Sequence, residues 1–127
     1  MIHAGVVGTS EGAALLVGKT GVGKSTSTLA CFNAGLQYIA DDRCLLALEP
    51  TPQAYCLYNS AKLYPAQMRL FPSLLPSIEP APESETEKTL VYLQQIAPTQ
   101  IAERLPIRVV LLARIANTCT TTLTPVS

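Results

Sequence analysis

Short apolar runs separated by turn chemistry organise this chain. Residues 3–7 and 13–17 are two such runs. They are joined by Gly8-Thr9-Ser10-Glu11-Gly12, a composition suited to a hairpin turn. The second run is continuously apolar, Ala13-Ala14-Leu15-Leu16-Val17, as a strand buried on both faces would be. A helix is predicted over residues 24–33, with Gly35 as its stop signal. Gln37-Tyr38-Ile39-Ala40 reads as a further buried strand ending at Asp41-Asp42. Two more strands, 44–48 and 54–58, flank the turn-forming Glu49-Pro50-Thr51-Pro52-Gln53. Residues 60–71 can hold a short helix with Pro65 in its first turn. Residues 72–88, where Pro72, Pro76, Pro80 and Pro82 alternate with glutamates, read as a mobile loop outside the core. Strands follow at 89–93 and 107–115. The Thr-rich tail reaches Thr124-Pro125, a helix start with no helix after it, so the chain reads as one domain over 1–127, incomplete at its C-terminus.

Composition narrows the class. The 127 residues are 48% hydrophobic, enough for one cored domain. Net charge is zero and no basic stripe exists, which argues against nucleic acid as a partner. No apolar run is long enough to span a bilayer, and the N-terminus lacks signal-peptide features, so no membrane role and a cytoplasmic location are expected. Cys31, Cys44, Cys56 and Cys119 form no C-x-x-C pair and are expected to be reduced core residues.

The chemistry lies between the second run and the helix. Gly18-Lys19-Thr20-Gly21-Val22-Gly23-Lys24-Ser25 matches the phosphate-binding loop G-x-x-x-x-G-K-[ST] in full. A chance match in a chain this short is roughly a one-in-a-few-hundred event. Strand, glycine loop and helix also follow in the order the chemistry requires. The loop's backbone N–H groups, from Gly18 through Thr20, Gly21, Val22 and Gly23 to Thr26, would cradle a nucleoside triphosphate. Lys24 would reach its β- and γ-phosphates, and Ser25 would place its hydroxyl on Mg²⁺. Asp41-Asp42, closing the next strand, offers carboxylates for the metal and for taking a proton from an attacking hydroxyl. Which aspartate serves which role stays open. Neighbouring strand residues face opposite ways, so both reach one site only where the backbone leaves strand geometry. His3, the only histidine, opens the strand whose hairpin partner leads into the loop.

Together these residues resemble the C-terminal domain of HPr kinase/phosphorylase, and more closely the HPr-kinase-like serine kinases found beside bacterial peptide-modification systems. The similarity rests on His3-Ala4-Gly5-Val6-Val7, Gly18 to Ser25, Gly35 and Ala40-Asp41-Asp42, with softer matches at Ser60-Ala61-Lys62-Leu63, Glu87-Lys88 and the tail. It covers nearly the whole chain. It implies an α/β fold with a mixed sheet, like the nucleotide domain of phosphoenolpyruvate carboxykinase. It further implies ATP with Mg²⁺ as cofactors, phosphoryl transfer to a serine of a protein or peptide, and Asp41, Asp42, His3 and Lys24 at the reacting centre. Ser25 and Asp41 would be the metal ligands. Lys62 and Lys88 become candidate phosphate or substrate contacts, and the ring-shaped HPr kinases make a homo-oligomer an expectation. Thr26 stands where the bifunctional enzymes carry glutamate, and their later glycine-rich signature has no counterpart, so phosphorolysis is not expected. A nucleotide-binding module without transferase activity is the alternative. A transport-type NTPase fits less well: its signature sequence and downstream Asp-Glu pair are missing.

Overall fold

The computed structural model describes residues 1–77 and 84–126. Strands β1 (Ile2–His3), β2 (Gly5–Thr9) and β3 (Gly12–Val17) open the chain, followed by helix α1 (Lys24–Asn33). Then come β4 (Gln37–Ala40), β5 (Arg43–Ala47), β6 (Gln53–Cys56), β7 (Ser60–Leu63), α2 (Pro65–Met68), β8 (Thr89–Tyr92), α3 (Leu93–Ile96) and β9 (Arg104–Leu112). A 3₁₀ segment spans Pro72–Ser77, and another spans Pro98–Gln100.

Seven strands form one mixed sheet in the order β1-β5-β6-β9-β3-β2-β4, while β7 and β8 form a separate antiparallel ribbon. The row closes on itself. Residues 2–9 and 37–47 are each continuous but for a short interruption, and they pair with each other twice: His3 opposite Arg43 at one end, Val6 opposite Ala40 at the other. Between these rungs Ala4 N–H donates to the Asp42 carbonyl at 2.9 Å. Strands β5, β6, β9, β3 and β2 complete the circuit, with β3 and β9 as its parallel pair. The two long segments are therefore corner strands, passing from one half of the sheet to the other.

Two cores follow from the two faces. Ala4, Val6, Leu15, Ile39, Cys44 and Leu105 cluster with no helix residue among them, which places them inside the curl. Val7, Leu16 and Tyr38, one step out of phase, pack outward against Leu29 and Phe32 of α1 and against Ala61, Leu63 and Val91 of the ribbon. Helix α1 ends as predicted: Gly35 N–H donates to Phe32 and Leu36 N–H to Cys31, a Schellman arrangement that needs the positive φ of 99° at Gly35. The Gln100 side chain adds donors to the Phe32 and Leu36 carbonyls.

The helix lies so close to β2 that a β-carbon on Gly5 would overlap the Thr28 hydroxyl, itself buried and bonded to the Lys24 carbonyl at 2.7 Å. Gly5→Ala is expected to cost about 1–3 kcal/mol through overpacking. Thr28→Ala should relieve part of that cost, so urea denaturation of the double variant should show less loss than the two single losses summed.

The structure corrects four expectations. The run 3–7 is divided between β1 and β2, because the chain turns the sheet corner at Ala4. The helix expected in 60–71 is confined to Pro65–Met68, and Ser60–Leu63 is a strand whose Ala61 and Leu63 face inward. The segment from Pro72 is not wholly outside the core: Leu74, three residues from Phe71, is buried with it. The rest of that expected loop includes 78–83, which lie outside the described residues. Among the cysteines, Cys44 is buried, Cys31 and Cys56 are half-buried and Cys119 is exposed, so the last is no core residue; all four are free.

Candidate functional site

Gly18 to Gly23 form a tight turn between β3 and α1. Gly21 and Gly23 take φ of 86° and 96°, left-handed values that side chains with a β-carbon resist. Gly23 caps the helix without a side-chain bond, and no acidic residue occupies the first turn. The N-terminal N–H groups of α1 are thus left without an internal anion. Thr20 and Gly21 are exposed, while Val22, Ser25 and Thr26 are half-buried. The Thr26 hydroxyl is engaged, accepting from Gln67 Nε2 of α2 at 2.9 Å.

Lys24 is 5% exposed. Its ammonium donates to the Gly18 and Lys19 carbonyls, both at 2.8 Å, and among the described residues it has no carboxylate partner. A buried cation held only by carbonyl dipoles is costly unless an anion joins it. The loop therefore fits a phosphate group on the chemistry of its donors.

Across from the helix start stands the sheet corner. Residues 41 and 42 are bends between β4 and β5, the departure from strand geometry that both carboxylates require. Asp41 is 4% exposed, and burial pushes its carboxyl up to about 6. A hydrogen bond from the Ser25 hydroxyl works against that rise, neighbouring Asp42 adds to it, and the Lys88 charge and the Lys62 backbone N–H oppose it. Asp42 is turned outward: its Oδ1 lies 2.8 Å from His3 Nε2, both side chains half-exposed. The corner thus divides the pair, one carboxylate toward the loop serine and the other toward the histidine. The carboxylates do not come from the strand beside β3, because β2 lies between β3 and β4.

Sequence reasoning missed several neighbours. Tyr38, wholly buried, donates its hydroxyl to the Ser60 carbonyl at 3.0 Å; burial first, then Asp41, raises its phenol above the ordinary range. Lys88 lies over the Tyr64 ring, 5.1 Å from its centroid. The Tyr64 N–H is held by the same Gln67 that binds Thr26. Only the glutamate-lysine resemblance had pointed to Lys88; the Gln67 bridge carries no local signal. Behind the corner is a cleft of about 480 Å³, lined by Asp41, Asp42, Arg43, Tyr58, Lys62 and Leu90 among others, and by no residue of the glycine loop.

Mg²⁺ keeps several waters and takes few protein oxygen ligands, and the Ser25 hydroxyl and the Asp41 carboxylate are donors of that kind. Asp41 also makes a pH prediction. Its carboxyl titrates at about 6 in the fold against 3.8 ordinarily, so the ionised form is disfavoured by folding. Its contribution to stability is full below about pH 4 and is lost as pH rises through about 6. Asp41→Asn should remove that loss and stabilise the ligand-free protein at pH 7.5 by about 3 kcal/mol. Urea denaturation of both proteins at pH 4 and pH 7.5 measures this; equal pH dependence would contradict it.

No protein-family model matches the chain, and no curated protein matches it. Among solved structures, the chain is similar to the Hpr(Ser) kinase/phosphatase from Coxiella burnetii, with a TM-score of 0.61 and 15% sequence identity over 87% of this chain and 63% of that one. It therefore spans less than two-thirds of that chain's length. At this identity the likeness is one of fold: a mixed α/β domain with a multi-stranded sheet, of the HPr kinase/phosphatase-like kind. Among the described residues, no helix is long and apolar enough to cross a membrane.

Proposed function

We propose that this chain carries the reacting centre of an ATP-dependent serine kinase. The observation that carries this reading is Lys24, buried at the start of α1, held by the Gly18 and Lys19 carbonyls and without a carboxylate partner among the described residues, with Asp41 buried at the sheet corner. Loop N–H groups and Lys24 bind the triphosphate and hold its terminal group. Ser25 and Asp41 would hold Mg²⁺, which would supply charge neutralisation to the phosphates. Asp42, set by His3, receives the acceptor hydroxyl at the outer side of the corner.

The step balances simply. The bond from the terminal phosphorus to its bridging oxygen breaks, leaving ADP. A bond from that phosphorus to the serine Oγ forms, and the hydroxyl proton passes to Asp42. Positioning and charge do most of the work in such a transfer. The fold likeness to a kinase/phosphatase supports the class and not the chemistry, which rests on the residues.

Incubating the protein with γ-labelled ATP, Mg²⁺ and serine-containing peptides tests the proposal. Acid-stable label on a serine is the expected result. Nucleotide binding with no label on any peptide would leave a nucleotide-binding module and remove the kinase.

A further inference from the structure

The cleft behind the corner has a polarity that the transfer step alone does not require. It takes in Asp41 and Asp42, and no loop residue lines it. Its volume of about 480 Å³ is that of a site for a few side chains. Asp42 is paired with His3, and Asp41 is buried at the corner. Arg43 and Lys62 are exposed and, among the described residues, join no ion pair. Tyr58, 61% exposed, and Leu90, 37% exposed, add apolar surface to the same walls.

An extended segment entering here would meet Asp42 with its hydroxyl, Tyr58 and Leu90 with an apolar neighbour, and Arg43 and Lys62 with whatever charge it bears. A basic segment would face two unpaired cations, and an acidic side chain would neutralise them. We infer that this cleft is the acceptor groove and that Arg43 and Lys62 select a serine flanked by aspartate or glutamate in an unfolded peptide segment. The inference rests on the kinase reading and adds the substrate class to it. Arg43 and Lys62 act as specificity residues: they attract the acceptor and take no part in moving the proton.

Three serine peptides of equal length, with aspartate, alanine or lysine on both sides of the serine, test the groove in the intact chain. The acidic peptide is expected to give at least about tenfold higher kcat/KM than the neutral one, with the basic peptide lowest. The double variant Arg43→Glu, Lys62→Glu should reverse that order. Both positions are exposed, so its melting temperature should match the parent's, and its affinity for a fluorescent ATP analogue should stay within about twofold. An unchanged peptide order in the variant overturns the inference. So does a lost nucleotide affinity, which would assign the two cations to the nucleotide. If no peptide is phosphorylated, the kinase reading fails by itself. The groove is then judged by fluorescence anisotropy of the labelled peptides with a non-hydrolysable ATP analogue: preference for the acidic peptide upholds it, and equal binding rejects it.

Discussion

Lys24→Ala is expected to weaken ATP binding by at least about a hundredfold while the protein stays folded. The ammonium is almost wholly buried, donates to two loop carbonyls, and has no carboxylate partner among the described residues. Hydrogen bonds to charged groups are worth about 1.5–3 kcal/mol each, and two of them directed at phosphate oxygens account for a loss of that size. Lys24→Met, which keeps the apolar stem, should lose as much, because the effect belongs to the charge and not to packing. Calorimetric titration with ATP and Mg²⁺ reads the loss, and a thermal melt reads the fold. Affinity within threefold of the parent in both variants would remove the phosphate role from the loop.

The second large effect falls on chemistry and not on binding. Asp42→Asn is expected to slow phosphate transfer by about a hundred- to ten-thousandfold, the usual range for a lost general base, while ATP affinity changes little. The amide can keep a hydrogen bond to His3, at the 2.8 Å position the carboxylate holds, but it cannot take a proton. Single-turnover labelling of a serine peptide measures the rate, and titration of the same sample measures the affinity. Transfer at the parent rate would show that the hydroxyl is deprotonated elsewhere. Asp41→Asn should behave differently, weakening the Mg²⁺ dependence of binding while raising the stability of the ligand-free protein.

Much of this arrangement was legible in the sequence, and what was missed shares a cause. The glycine loop, α1 and its Gly35 stop are local patterns, fixed by residues within a turn or two of one another. The aspartate pair was expected at a break in strand geometry, and residues 41 and 42 are bends. That the break is a corner was not, because it depends on residues 2–9 pairing with 37–47 at both ends. Ser60–Leu63 did carry a period of two, with Ala61 and Leu63 inward, but Pro65 close behind favoured the helical reading. Lys88 against Tyr64, Gln67 against Thr26, and the cleft are made by segments far apart in the chain. No pattern within a window of residues can show them.

The parallel pairing of β3 with β9 bears on how the protein comes to exist at all. Ala13 lies opposite Ile107, and Val17 opposite Leu112, so the strand that leads into the glycine loop gains one of its two neighbours only after residues 107–112 have been synthesised. Closing so long an interval is entropically slow, and topologies rich in such distant pairings assemble on millisecond-to-second scales. A nascent chain holding every proposed reacting group, His3 through Asp42, would still have β3 unprotected along one side. Ligand competence should therefore arrive late and all at once, when β9 docks.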